Sequence, residues 1–139
     1  MSYDLMVFDP AGPPSDRLGF LNWYAEIARM GDGKLTSDPA TAGPALQAWY
    51  RDMIREFPAV NGPDATGSAD MDNVKRVEYR FTEKAIFAGF QWEASRHALR
   101  QAGKVARRHN VGLFDVSGET GAVWGPTAKG HYALTHRNE

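Results

Sequence analysis

The period of hydrophobic and polar positions changes along the chain and predicts the order of its elements. Tyr3–Phe8 is a short apolar run that stops at Asp9-Pro10, which is typical of a buried strand. Within Lys75–Phe81 charged and apolar residues alternate from Arg76 onward, so we predict a strand with one wet face near a sheet edge. Lys84–Trp92 is almost continuously apolar, and this favours a central strand.

Three segments have the period of amphipathic helices. The first begins after a predicted N-cap at Ser15 and runs to about Met30, with apolar residues over about half of its surface. The second, Pro44–Phe57, has one narrow apolar face. The third, Glu93–His109, buries small apolar residues, and Asn110 can end it. The predicted loops Gly31–Gly43 and Pro58–Asn73 separate these elements.

Two further short strands are predicted, Val111–Val116 and Ala122–Trp124. The tail, 126–139, is polar and we expect it to be flexible, which leaves a single α+β domain over 1–125. The order of elements predicts a ferredoxin-like β-α-(α)-β-β-α-β fold with an antiparallel sheet and one extra helix, Pro44–Phe57. A simple α+β meander is the alternative.

The predicted central strands are apolar on both faces, whereas a ferredoxin-like sheet has helices on one face only. Leu5 and Val7 point one way along the first strand, and Met6 and Phe8 point the other way. The second face therefore needs a cover, which could be the extra helix, the tail around Trp124, a second subunit or a ligand. Because an uncovered second face would expose apolar surface, we predict a homodimer. The alternative is that the extra helix covers that face.

Composition narrows the class of protein. The chain has 139 residues, of which 42% are hydrophobic and 24% charged, as in ordinary globular domains. It has no cysteine, which excludes disulfides and thiolate metal sites and favours a cytoplasmic location. The start, MSYDLMVFDP, lacks the basic region of a signal peptide, and no apolar run approaches the ~18 residues of a membrane span. A formal net charge of −1 disfavours nucleic acid as a partner.

The motifs for catalysis and metal binding are incomplete. Gly62–Ser68 has the glycine spacing of a phosphate loop but lacks its lysine, and Asp70–Asn73 lacks the glycine and glutamate of a calcium loop. The four histidines form no i, i+4 pair on a helix. We therefore predict no cofactor, no structural metal and no catalytic residue.

The third predicted helix has a basic face. Placed at 100° per residue, its cations fall within roughly 120° of one another, with His97 inside the same arc. The residues that we predict to bind a partner are Arg96, Arg100, Lys104 and Arg107, with Arg108 beside them. Such a face suits an acidic protein or phosphates. The alternative is a solvated face whose late cations complement the helix C-terminus.

Four strings occur together in order along the chain: Tyr-Asp-Leu-Met-Val-Phe-Asp-Pro at 3–10, Pro-Ala-Leu-x-Ala-Trp-Tyr at 44–50, Phe-Pro-x-x-Asn-Gly-Pro at 57–63, and Gly-Leu-Phe-Asp-Val-Ser-Gly at 112–118. This set resembles a group of small bacterial proteins, mostly of unknown function. The resemblance implies no activity and no catalytic residues. By analogy of class, small cytosolic proteins of this kind include immunity proteins, which neutralise a bacterial toxin by binding it.

Two functions follow as hypotheses. The first is a non-catalytic binding module for an acidic protein partner, with toxin neutralisation as its sharpest version. The second is a small dimeric enzyme with a ligand cavity on the open face of the sheet, in which Tyr79, Trp92 or His97 could take part. Neither involves a membrane.

Overall fold

The computed structural model describes residues 2–29, 35–65 and 73–138. Met30, parts of the two predicted loops and parts of the phosphate-loop and calcium-loop strings lie outside these residues. The strands are β1 Ser2–Phe8, β2 Val77–Phe81, β3 Ala85–Gln91, β4 Gly112–Phe114, β5 Val123–Pro126 and β6 Tyr132–His136. The α-helices are α1 Arg17–Ala28, α2 Pro44–Glu56 and α3 Ser95–His109, with short 3₁₀ helices at Pro39–Thr41 and Trp92–Ala94.

The six strands form one antiparallel sheet in the order β2-β3-β1-β4-β5-β6. In the middle of the sheet Val7 of β1 lies opposite Ile86 of β3 on one side and Leu113 of β4 on the other. The prediction that the two most apolar strands are adjacent and central is confirmed. The alternating strand β2 lies at an edge, with its odd-numbered residues buried and its charged residues exposed, as its pattern predicted.

Helices cover both faces of the sheet. On the first face α2 and α3 pack against each other and enclose the larger core, which includes Leu5 and Val7. On the second face α1 packs with Met6 and Phe8 through Phe20, and rings meet edge to face there. The suggestion that the helix Pro44–Phe57 could cover the second face is wrong, because that helix lies on the first face and α1 covers the second.

This arrangement removes the main argument for a dimer. The apolar side chains of the second face that lie under α1 are buried within one chain, and Met6 has no exposed surface. No second subunit is needed to hide them. The homodimer stays a prediction without that support.

Helix ends follow local capping chemistry. Asp16, not the predicted Ser15, is the N-cap of α1, since its Oδ2 accepts from the backbone N–H of Gly19 at 2.8 Å. Asn110 ends α3 in the left-handed conformation at φ 58°, as predicted. The predicted start of the third helix at Glu93 falls in the 3₁₀ turn that precedes α3.

The segment that we expected to be a flexible tail contains β6, a strand that the sequence analysis missed. Leu134 of β6 pairs with Trp124 of β5, and a bulge follows at Val123/Trp124. Arg17 of α1 holds β5 and β6 against α1, since it donates to the Gly121 carbonyl at 2.7 Å and to Asn138 Oδ1 at 2.8 Å. The strand has no fully buried residue, which explains why its short pattern did not indicate a strand.

The outer edge of β2 is covered by loop backbone and by one side chain. Phe81 exchanges two backbone hydrogen bonds with Thr36, and Val77 donates to Pro58 and accepts from Val60. Between them the Asn61 side chain bonds to both backbone groups of Tyr79. This edge is therefore closed to pairing with another strand.

In the part of the chain that the structure describes, no helix combines the length and the apolar character needed to cross a membrane.

Candidate binding groove

The structure divides the predicted basic face of α3 into two parts with different partners. On the side of α2, His109 Nε2 lies 2.7 Å from Asp52 Oδ2, and Arg108 donates to the same oxygen at 2.9 Å. One turn further along α2, Glu56 lies 3.2 Å from the Nε2 of His97. Arg108 and His97 therefore help to join the two helices and do not belong to a free basic surface.

The carboxylates of α2 respond to these neighbours. The hydrogen bond from His109, with help from Arg108, holds the pKa of Asp52 below its usual value. The hydrogen bond and charge of Lys75 do the same for the pKa of Glu56. Both carboxylates thus carry their negative charge against the cations on this side of α3.

The other side of α3 faces a groove of about 400 Å³. Arg100, Lys104 and Arg107 line one wall at i, i+4 and i+7, which places them on one stripe of the helix. The remaining lining residues come from α3 and from the first face of the sheet: Leu99, Gly103, Leu113, Trp124 and Tyr132. We call this set of eight residues the basic groove.

The groove exists because the sheet is wider than its helical cover. Strands β5 and β6 extend beyond α3, and on the first face Trp124 of β5 lies between Leu113 of β4 and Leu134 of β6. Leu134 is 45% exposed, so the apolar floor continues past the groove to the edge of the sheet. The Tyr132 hydroxyl donates to the Val111 carbonyl at 2.7 Å, which fixes the ring as part of the floor.

The cations of the groove have no anionic partner among the described residues. Among the described residues, no side-chain ion pair or hydrogen bond involves Arg100, Lys104 or Arg107. The Cζ atom of Arg107 lies 5.7 Å from the ring centroid of Tyr132, within the range of a cation–π contact. Burial raises the pKa of Tyr132, so that ring stays neutral beside the guanidinium. The groove thus offers positive charge above an apolar and aromatic floor.

Of the four residues predicted to bind a partner, the structure brings three together at the groove. The fourth, Arg96, is exposed in the first turn of α3 but does not line it. Its part in binding stays a prediction.

Comparison of the chain with protein-family models, with curated proteins and with solved structures finds no match. The site must therefore be understood from its own geometry. Within the described ranges no three His, Asp or Glu side chains come together as a metal site.

The sequence analysis missed the floor of the groove. Trp124 ends a predicted short strand and Tyr132 lies in the predicted tail, and neither position belongs to a long periodic segment. A usable signal was the spacing of Tyr132 and Leu134, two apolar residues on the same side of an extended segment. That signal is weak in a strand of five residues.

A second concavity lies on the other face of the sheet. It has a volume of about 490 Å³ and lies beside the C-terminal half of α1, above Asp4, Gly89 and Glu78. We call it the second-face cavity. It is not lined by any of the three residues that we linked to an enzymatic site, Tyr79, Trp92 and His97.

Those three residues have structural contacts elsewhere. Tyr79 is buried on the first face and donates to the Phe57 carbonyl at 2.8 Å. Trp92 packs on Tyr3 with ring centroids 5.3 Å apart, and His97 lies against Phe57. They are not brought together in one site.

Proposed function

We propose that this chain is a protein-binding module without catalysis, and that the basic groove binds an acidic segment of its partner. The observation that carries this proposal is the presence of three cations with no anionic partner among the described residues, beside a floor that includes Trp124 and Tyr132. Arginine and aromatic residues dominate the energetics of protein interfaces. The arginine fork also makes bidentate contacts with carboxylates that a lysine cannot make.

Desolvation explains why the floor matters. An ion pair on an open surface is worth about 0–1 kcal/mol, because water screens both charges. A pair that is desolvated at an interface is worth more, on the order of 2 kcal/mol or above. A partner whose apolar groups cover Trp124 and Leu134 would remove water from around Arg100 and Arg107. The ion pairs between these arginines and the partner's carboxylates would then be stronger.

The biological version of this proposal is a bacterial cytosolic protein that neutralises a toxin by binding it. The resemblance of the four sequence strings supports this version at the level of protein class only.

We further propose that the core is ferredoxin-like. The strand order β4-β1-β3-β2 within the sheet, with the first and third strands central, supports this proposal. The two helices of that core would be α2 and α3, which share one face. The elements added to that core would then be α1 on the opposite face and β5 and β6 at the edge. The sequence pattern had instead predicted α2 as the extra helix.

The experiment that tests the proposed function is a pull-down from the native host, with mass spectrometry of the retained proteins. Wild-type protein is compared with Arg100→Glu/Lys104→Glu and with Arg51→Glu/Arg55→Glu, which reverses two exposed charges on α2 outside the groove. We expect a protein with an acidic surface to be retained by the wild type and by the α2 variant and to be lost from the groove variant. Equal retention by all three proteins would contradict the proposal.

The alternative is a small dimeric enzyme with a ligand cavity on the sheet, and the second-face cavity is the observation that favours it. No histidine of the described residues lines either that cavity or the basic groove. Two carboxylates, Asp4 and Glu78, line the second-face cavity and would be the proton acceptors of such an enzyme.

A further inference from the structure

The second-face cavity has a floor built by the register of three strands. Gly89 of β3 lies directly between Asp4 of β1 and Glu78 of β2. A glycine in the interior of a strand leaves the backbone open to close approach by a ligand. A Cβ atom at this position would lie 3.4 Å from Asp4 Oδ1, so the aspartate side chain leans over the glycine.

The charges around this floor balance one another. Two carboxylates, Asp4 and Glu78, and two guanidinium groups, Arg76 and Arg80, line the cavity. Arg80 Nε is 3.1 Å from Glu78 Oε1, so these two groups already form an ion pair. The cavity therefore attracts neither polyanions nor polycations as a whole.

One charge of each sign is left for a ligand. Asp4 Oδ1 accepts from the hydroxyl of Ser2 at 2.9 Å and has no cationic partner among the described residues. Arg76 donates to the Asn73 carbonyl at 3.0 Å and likewise has no carboxylate partner there. The backbone of Arg76 lies two strands away from that of Asp4 and two residues further along, a separation of about 12 Å. The long arginine side chain spans much of that distance.

The rest of the lining is apolar on one side. Phe87 and Val116 lie on the sheet side of the cavity, and Leu35 and Val60 contribute from loops. Burial, together with the charge of nearby Asp4, raises the pKa of Tyr24, so its hydroxyl remains a neutral donor at the wall beside α1.

We infer that the second-face cavity binds a small zwitterion of the amino-acid class, with an apolar side chain. The ligand ammonium group pairs with Asp4 above Gly89, the ligand carboxylate pairs with Arg76, and the apolar side chain lies against Phe87. This site is separate from the basic groove, on the opposite face of the sheet. It does not depend on the proposed protein-binding function.

The test uses L-leucine and L-phenylalanine as probes and follows the backbone amide of Gly89 by NMR. We expect saturable shifts of this amide at millimolar concentration. The matched analogues of leucine are 4-methylpentanoate, which lacks the ammonium group, and 3-methylbutylamine, which lacks the carboxylate. Each should bind about tenfold more weakly or worse than leucine, because each loses one charge-assisted contact.

Variants locate the two contacts. Asp4→Asn and Arg76→Gln should each weaken leucine binding about tenfold or more, while Glu93→Gln and Arg55→Gln, which change exposed charges elsewhere, should leave it unchanged. The inference is overturned if neither amino acid shifts the Gly89 amide of the wild type, or if 4-methylpentanoate binds as well as leucine. Because those two results come from the unaltered protein, they stand even if a variant fails to fold.

Discussion

Arg17 at the start of α1 donates a hydrogen bond to Nδ1 of His136 in β6, at 3.1 Å. Since a guanidinium can only donate, this nitrogen must be the unprotonated acceptor of a neutral ring. His136 also packs edge to face on Phe20, with ring centroids 5.0 Å apart. One contact thus joins the first helix to the last strand, 119 residues apart in sequence.

This contact predicts a pH dependence of stability. Burial and the charge of Arg17 lower the pKa of His136 below the value of about 6.5 that it has in the unfolded chain. The unfolded state therefore binds more protons below about pH 6.5, and stability falls as the pH drops from there towards the folded pKa. Above about pH 6.5 both states hold a neutral ring, and this contribution no longer changes with pH.

The measurement is the melting temperature at about pH 7.5 and about pH 5.5. His136→Gln, which keeps an acceptor for Arg17 but cannot titrate, should lose less stability on acidification than the wild type. The other three histidines are the same in both proteins and cancel in the comparison. Parallel pH curves for the two proteins would show that His136 is not held neutral by Arg17.

Asn61 predicts a second effect on stability. Its Nδ2 donates to the Tyr79 carbonyl at 2.7 Å and its Oδ1 accepts from the Tyr79 N–H at 3.0 Å, so one side chain replaces a neighbouring strand. Asn61→Ala should destabilise the protein by about 1–3 kcal/mol, because it removes both partners of a peptide group next to a buried ring. Urea unfolding measures the loss. Asn22→Ala, on the exposed side of α1, is the control and should change stability by less than about 0.5 kcal/mol.

Two glycines should respond to alanine with opposite signs. The ring of Phe8 lies directly over Gly112, its partner in the β1–β4 register, and a Cβ there would overlap the ring. Gly112→Ala should therefore cost about 1–3 kcal/mol of unfolding free energy. Gly103 lies inside α3, where a Cβ would be at an ordinary 3.7 Å from Leu113, so Gly103→Ala should stabilise by about 0.5–1 kcal/mol. Destabilisation by both would mean that α3 lies closer to β4 than described.

Local patterns predicted the parts of the fold that depend on local chemistry. The apolar runs of β1 and β3, the alternation of β2 and the cap at Asn110 follow from period and backbone preference, and these predictions are confirmed. Local patterns do not determine the side of the sheet on which a helix packs. For α1 this side depends on the path of the loop after β1, because the apolar arc of α1 would suit either face.

The candidate groove shows the same limit. Helical spacing correctly placed Arg100, Lys104 and Arg107 on one stripe of the helix. It could not separate them from Arg108, because that residue is neutralised by Asp52, 56 positions earlier in the chain. Nor could it find the floor, which β4, β5 and β6 supply.

The central claim concerns the basic groove, and it makes a prediction about affinity. Arg100→Glu/Lys104→Glu should weaken binding of the partner recovered from the host by about 2 kcal/mol or more, about thirtyfold. The control is Arg51→Glu/Arg55→Glu, which changes the net charge by the same amount at exposed positions of α2 outside the groove. Both double variants should keep their melting temperatures, since surface substitutions usually cost less than about 0.5 kcal/mol each.

The most direct measurement is the dissociation constant of the isolated partner for these two variants and the wild type, by calorimetry at one fixed salt concentration. We predict that the groove variant loses about thirtyfold in affinity while the control stays within about threefold of the wild type. Equal affinities for the two double variants would contradict the claim, because binding would then depend on overall charge, or on another surface, and not on the groove.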